Sequence, residues 1–300
     1  MFEYSVIRNL TPKEMPVFIQ RGSFGHECAE AGINVLIAGG SLEDATTAAY
    51  GVLHELMESG NPLTGEIMGV FKHVNAFLHY LVRDATFRPV ATESTGMWNM
   101  SKEMAMPADD KTWQDSPMYA EDRIFGYTPD LIIEFTTGRF KGQLGVLDYK
   151  FLSQYMKEIA LEMAQQIPKY MIYRGKQFPS QKIRHGAYIQ FNTRAAIGAT
   201  GHQLFIVKWL ENSITQARLH QVEFENTLLV ERVATAVENS DTKVFLRTVD
   251  QGVCDRCWFA EICNAEFNGK SAAKIIERGY KQNDYGYTDR TKDEGKGSLV

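Results

Sequence analysis

The chain has 300 residues, 44% apolar and 23% charged, with a formal net charge of −5. That much apolar surface offsets the entropy of folding and excludes wholesale disorder. No uninterrupted apolar run approaches the ~20 residues that a bilayer span requires. A net-negative chain is a poor general coat for nucleic acid, although a local groove can carry its own charge. There is no G-x-x-x-x-G-K-[ST] phosphate loop, which excludes a nucleotide-driven motor of that type. The N-terminal MFEYSVIRNL has neither the basic nor the apolar region of a secretory signal. The expectation is a cytoplasmic protein, in a host cytoplasm if viral, with no membrane partner.

In chain order, residues 1–27 are mixed and read as a lead-in. Ser41 and Asp44 are candidate caps for a helix over Ala45–Ser59, which Gly60, Asn61 and Pro62 stop. Gly65–Asp84 reads as a second helix, with Ile67, Val70, Phe71, Val74, Phe77, Leu78 and Leu81 on one side. Phe87–Trp98 is strand-like. Residues 101–120 lack a period and hold two prolines, so they read as a loop or insertion.

The pattern then changes. Gly126–Phe135 and Gln143–Lys150 are strand-like, and Gly138 and Gly142 between them predict a hairpin. Ser153–Arg174 is helical but interrupted by Pro168. His185–Arg194 and Gln203–Leu210 read as strands and Ile214–Glu238 as a long amphipathic helix. A polar tail expected to be mobile occupies 283–300. Strands flanked by helices predict one α/β domain over 1–282 on a mixed sheet. Its parts are a helical stretch at about 28–85, a core at about 86–215, and a C-terminal helix with clustered cysteines at about 214–282.

The hairpin carries the most informative side chains. Asp130 follows Pro129 at the first strand, and Asp148, Tyr149 and Lys150 end the second. Strand residues two apart share a face, so Asp148 and Lys150 project together, and Asp130 meets them if the register permits. Two carboxylates there make an oxygen-rich site for Mg²⁺ or Mn²⁺. Such an ion polarises a phosphoryl oxygen, and a neighbouring lysine steadies the attacking water or the developing charge. Taken alone, the same spacing also fits a solvated Asp–Lys pair. His54, ending Gly51–His54 (GVLH), offers an imidazole ligand. Gln166 and Tyr170 stand at i and i+4 on one helical face, where they can contact a DNA backbone or support the lysine.

The four cysteines are Cys28, Cys254, Cys257 and Cys263, the last three in a C-x2-C-x5-C cluster. Four thiolates suit zinc or an iron–sulfur cluster, and four buried reduced thiols are the remaining reading.

Cys28, GVLH, GYTPD ending at Asp130, LDYK, QIPKY and CDRCWFAEIC stand in an order that resembles the iron–sulfur branch of the PD-(D/E)xK nuclease superfamily. It is similar to the nuclease domains of AddB-type helicase–nucleases and to the CRISPR-adaptation Cas nucleases that carry a cluster. The resemblance covers about Cys28 to Cys263. It implies a restriction-endonuclease-like core, a mixed central sheet flanked by helices, with a cluster-stapled helical region joining the N- and C-terminal parts. It implies a metal-dependent deoxyribonuclease acting on DNA ends or single strands. His54, Asp130, Asp148 and the Tyr149 carbonyl would hold Mg²⁺ or Mn²⁺, and Lys150 would be the catalytic lysine. Gln166 and Tyr170 would match the Q-x-x-x-Y motif near the DNA. Cys28, Cys254, Cys257 and Cys263 would hold a [4Fe–4S] cluster as a structural staple. Partners would be DNA and proteins of the helicase, recombinase or CRISPR-adaptation kind.

Three positions depart from the family pattern. The family usually shows G-x-x-x-H, and in GVLH the glycine is one position closer, which leaves His73 and His79 as reserve ligands. Asp148 stands where Glu is commoner. Pro168 inside QIPKY requires the helix to kink or begin there. Glu93 is a further acidic candidate. Two other readings stand beside the nuclease: a catalytically inactive DNA- or protein-binding module of the same fold, and a zinc-stapled α/β protein.

Overall fold

A computed structural model describes residues 10–13, 17–58, 64–94, 96–106, 124–181, 183–193, 204–210, 214–238, 257 and 259–282. The predicted tail at 283–300 and most of the loop at 101–120 lie outside them. The chain divides into two compact units. One comprises Val17–Asp110 with Ile124–Asn226, and the other comprises Met1–Pro16, Lys111–Arg123 and Thr227–Val300.

Helical structure begins earlier than the periodicity suggests. Helix α1 spans Val17–Ile37 and takes in much of the expected lead-in. Gly22, Gly25 and Gly32 depress its intrinsic propensity, by ~1 kcal/mol each relative to alanine. Close packing is what two of them permit. A Cβ on Gly25 would stand 2.4 Å from the Phe151 ring, and one on Gly32 2.7 Å from Leu78 Cδ1. Phe24, Cys28, Ala29 and Ile33 form the buried stripe of α1. Helix α2 (Leu42–Glu58) starts at the expected caps. The Asp44 N–H donates to Ser41 Oγ and the Ser41 N–H to Asp44 Oδ2, a reciprocal pair that satisfies two orphan donors. Helix α3 (Thr64–Arg83) buries Val70, Val74, Phe77, Leu78 and Leu81.

The main sheet has five strands: β2 (Phe87–Thr92), β6 (Leu131–Phe135), β7 (Leu144–Leu152), β8 (Ile183–Asn192) and β9 (Phe205–Trp209). Their order is β2-β6-β7-β8-β9, antiparallel throughout except for the parallel pair β7–β8. The predicted hairpin is thus β6–β7, and the mixed sheet with flanking helices is an α/β arrangement. The expected strand over Phe87–Trp98 is two strands in two sheets. After β2 the chain turns at Glu93 (φ +39°), and β3 (Gly96–Asn99) enters a small sheet between β4 (Met104–Met106) and β5 (Ile124–Tyr127).

Strand alternation sorts the side chains. Leu131, Ile133, Phe135, Leu147, Tyr149, Ala187, Ile189 and Phe191 pack with α1–α3. Ile132, Val146 and Tyr188 pack on the other face against Ile167, Tyr170, Met171 and Tyr173 of α5 (Gln166–Gln177) and Leu161 of α4 (Glu158–Met163). A one-residue slip of β6 on β7 would reverse both faces. Burial of each large side chain is worth ~1.5–3 kcal/mol, so the apolar pattern holds this register firmly.

Helix α6 spans Gln216–Glu238, its first half in the larger unit and the rest in the smaller. In the smaller unit β1 (Leu10–Pro12) pairs antiparallel with β10 (Tyr280–Gln282). Helices α7 (Ala260–Phe267) and α8 (Ala273–Gly279) lie between them in sequence, around a small core of Phe259, Ile262 and Ala272. Among the described residues, no helix is long and apolar enough to cross a membrane.

Candidate active site

The site forms where three strands of the main sheet reach the same rung. Thr92 pairs with Leu131, and one residue further the Glu93 N–H donates to the Asp130 carbonyl at 3.2 Å. Leu131 pairs with Leu147, so the next rung sets Asp130 opposite Asp148. Asp130 Oδ2 accepts the Tyr149 N–H at 2.5 Å. Glu93, Asp130 and Asp148 therefore succeed one another across β2, β6 and β7.

Helix α1 supplies the fourth group. His26 Nδ1 lies 3.3 Å from Asp130 Oδ1 and 3.6 Å from Glu93 Oε1. Its ring packs against Tyr149 and Phe151 at centroid distances of 5.6 and 5.7 Å. The neighbouring Gly25 lets α1 approach Phe151 closely enough for that packing. Burial opposes charge on His26, but hydrogen bonding and attraction to Asp130 and Glu93 outweigh it and push its pKa up to about 10.

Asp148 is 1% exposed. Lys150 Nζ lies 2.5 Å from its Oδ2, and among the described residues no donor reaches its Oδ1. Burial, then repulsion from Asp130, push its pKa up to about 7 against the pull of Lys150 and His26. Lys150 in turn donates to Gln166 Oε1 at 2.7 Å, and Gln166 Nε2 donates to the Tyr170 hydroxyl at 2.7 Å. Pro168 does not disturb this relay, because α5 begins at Gln166. In a first helical turn the missing proline N–H has no intrahelical acceptor to lose.

One ligand atom from each of His26, Glu93 and Asp130 lies within 4.8 Å of the others. An octahedral Mg²⁺ with ligands at about 2.0–2.1 Å sets neighbouring donors about 3 Å apart, close to the His26 separations. An imidazole among carboxylates also suits Mn²⁺. The His26, Glu93 and Asp130 donor set fits a divalent cation, and Asp148, which is not one of that set, stands opposite Asp130 on the neighbouring strand with a buried oxygen that no donor reaches among the described residues.

The structure therefore brings together Asp130, Asp148, Lys150, Gln166, Tyr170 and Glu93. It does not bring His54, which lies on α2 with a 55% exposed side chain, 3.6 Å from Glu58. The reserve His73 is buried in α3 with Nδ1 2.6 Å from the Gly69 carbonyl, and His79 is half-buried on the same helix. The imidazole at the carboxylates is His26, and a signal for it stands in the sequence. Gly22–His26 (GSFGH) has the G-x-x-x-H spacing that GVLH lacks. Tyr149 reaches the site through its backbone N–H to Asp130.

Of the cysteines, Cys254 lies outside the described residues. Cys28 is fully buried between α1 and α2 in the larger unit, and its thiol donates to the Ala49 carbonyl at 3.4 Å. Burial, then the charge of Glu27, push that thiol up to about 12. Cys257 and Cys263 belong to the smaller unit, half-buried beside its core.

Compared with protein-family models, with curated proteins and with solved structures, the chain gives no match.

Proposed function

We propose that the chain is a metal-dependent deoxyribonuclease that hydrolyses phosphodiester bonds. The observation that carries the reading is the single rung that gathers Glu93, Asp130 and Asp148, with His26 on one side and Lys150 on the other. His26, Glu93, Asp130 and Asp148 would hold Mg²⁺ or Mn²⁺. The ion, when bound, supplies Lewis acidity and neutralises charge on the phosphoryl oxygens. Lys150 is oriented by Asp148 and Gln166, which leaves its ammonium to steady the attacking water or the negative charge that grows on phosphorus oxygens. Tyr170 holds Gln166 in the orientation that accepts from Lys150.

An iron–sulfur cluster at Cys28, Cys254, Cys257 and Cys263 belongs to the proposal through the cysteine spacing and the resemblance alone. No step of the reaction is derived through it.

The test is a cleavage assay of wild type beside Lys150→Ala and Asp148→Asn. Linear and circular DNA, single- and double-stranded, would be incubated with Mn²⁺ or Mg²⁺ and with EDTA. Metal-dependent cleavage by wild type is expected, with rates lower by at least about 10²–10³-fold in either variant, the scale for removing one preorganised electrostatic group. Undiminished cleavage in Lys150→Ala would overturn the assignment. DNA binding without cleavage would favour the binding-module reading.

A further inference from the structure

Strand β8 runs parallel to β7, and its register sets Tyr188 beside Asp148 and Gln190 beside Lys150. Strand residues two apart share a face, so these four stand on the face that also carries Val146. Gln190 is taken up by the segment after β7, since its Oε1 accepts the Met156 N–H at 2.7 Å. Tyr188 is left beside the Asp148–Lys150 pair.

Tyr188 is fully buried and packs with Leu161, Ile167, Tyr170 and Met171 of α4 and α5. The Ile167 N–H approaches its hydroxyl without completing a hydrogen bond. Burial, then the charge of Asp148, push the phenol up, so it stays neutral. A buried hydroxyl with no completed hydrogen bond carries a cost that phenylalanine would not. What the position offers its neighbours is therefore the ring.

Lys150 Nζ stands over that ring, 5.7 Å from its centroid. This lies inside the ~6 Å reach of a cation–π attraction. The Lys150 side chain is only 27% exposed, so water screens the attraction in part rather than fully. A lysine is a compact charge with three N–H donors on a long flexible stem. Gln166 accepts from one donor, and Asp148 pairs with the charge. A ring face attracts the charge as a whole. It restrains the ammonium without taking the donor that a substrate oxygen needs. Asp148 is also a ligand of the proposed cation, whereas Tyr188 and Gln166 are not, so their hold on Lys150 does not depend on that ion.

We propose that Tyr188 is a positioning residue for Lys150, its ring face held by β8 and α5 so that it fixes where the ammonium points. The catalytic consequence rests on the nuclease reading, whereas the contact between ring and lysine does not.

The contact is tested in EDTA by NMR of the Lys150 ε-methylene protons, assigned by their loss in Lys150→Arg. A ring face beside them displaces the signal upfield in wild type. Tyr188→Phe should keep that displacement and Tyr188→Leu should abolish it. Cleavage kinetics with Mn²⁺ test the consequence. Tyr188→Phe should keep kcat within about 2-fold, and Tyr188→Leu should lower it about 10-fold, within the range of one ring–cation contact. KM and Mn²⁺ affinity should stay as in wild type, because Tyr188 touches neither substrate nor ion. Phenylalanines with one, two and three ring fluorines at position 188 keep the shape and weaken the negative ring face. They should lower kcat stepwise at a constant melting temperature, which a purely structural role would not produce.

A flat fluorine series would overturn the proposal, as would an unmoved Lys150 signal in Tyr188→Leu. Loss of kcat in Tyr188→Phe would overturn it too, by giving the role to the hydroxyl. A wild type that cuts beside an equally active Tyr188→Leu leaves the nuclease and removes the positioning role. A ring-dependent Lys150 signal in a wild type that does not cut leaves the contact and removes the nuclease.

Discussion

Asp130 and Asp148 face each other across the antiparallel pair β6–β7, and they are not equivalent. Asp130 Oδ2 is fixed by the Tyr149 N–H, whereas Asp148 Oδ1 is buried with no donor among the described residues. Like charges at this spacing repel, and burial removes the water that would screen them. The apolar register of β6 and β7 enforces the pairing. His26 and Lys150 relieve the repulsion in the metal-free protein, and a divalent cation would relieve it further.

The choice of imidazole makes the first prediction. His26→Ala is expected to weaken Mn²⁺ binding by about 100-fold or more, since substitution even of groups that support ligands costs 10–100-fold. His54→Ala is expected to leave it unchanged, because that ring lies at the α2 surface beside Glu58. Calorimetric titration of both variants checks this. Weakened binding in His54→Ala alone would return the ligand role to α2.

Protonation makes the second. The pKa values of His26 and Asp148 are raised on folding, from 6.5 to about 10 and from 3.8 to about 7. Both groups bind protons more tightly when folded. Their contribution is fully present below the unfolded pKa and is lost as pH rises through the folded one. Metal-free protein should therefore lose stability from Asp148 between about pH 4 and 7 and from His26 between about pH 6.5 and 10. A metal binds the deprotonated groups, so Mn²⁺ should raise the melting temperature more as pH rises. Melts with EDTA and with Mn²⁺ at several pH values measure the gap. A gap that narrows with pH would contradict the proposed ligands.

Backbone strain makes the third. Glu93 occupies the left-handed region at φ +39°, where a side chain costs of the order of 1 kcal/mol over glycine. Ser94 beside it accepts from Arg174 Nη1 at 2.8 Å, which ties the turn to α5. Glu93→Gly should be more stable than Glu93→Ala by about 1 kcal/mol, seen as a few degrees in melting temperature. Both should lose Mn²⁺ affinity. Ser94→Ala should lower that affinity about 10-fold by loosening the turn, with little change in the metal-free melt. Equal melts for the glycine and alanine variants would show that the turn is unstrained.

The cysteines make the fourth. Anaerobically purified protein is expected to contain iron and acid-labile sulfide, and Cys257→Ser or Cys263→Ser to lose both. The same analysis on Cys28→Ser separates ligand from packed thiol. Iron retained in a less stable Cys28→Ser protein would assign Cys28 to the α1–α2 core.

Much of this was legible from local chemistry. The alternation in LIIEF and LGVLDYK dictates which residues face α1–α3, and through them the side on which Asp148 and Lys150 stand. The Ser41–Asp44 cap, helices α2 and α3, and the hairpin with its glycines follow from patterns within a few residues. The identity of the imidazole was not legible in this way. Periodicity shows that a helix has an apolar face but not which strand end it meets, and the glycines of α1 weakened even its helical signal. Only tertiary packing, with Gly25 against Phe151, brings His26 to Asp130. The break after Thr92 likewise needed the second sheet, since β3 must leave the first sheet to pair with β5, and that departure turns Glu93 beside Asp130. Asp148 and Lys150 were set by a period of two along one strand, and Asp130 joined them through the register of β6 on β7, whereas the histidine and Glu93 were set by packing between elements distant in the chain.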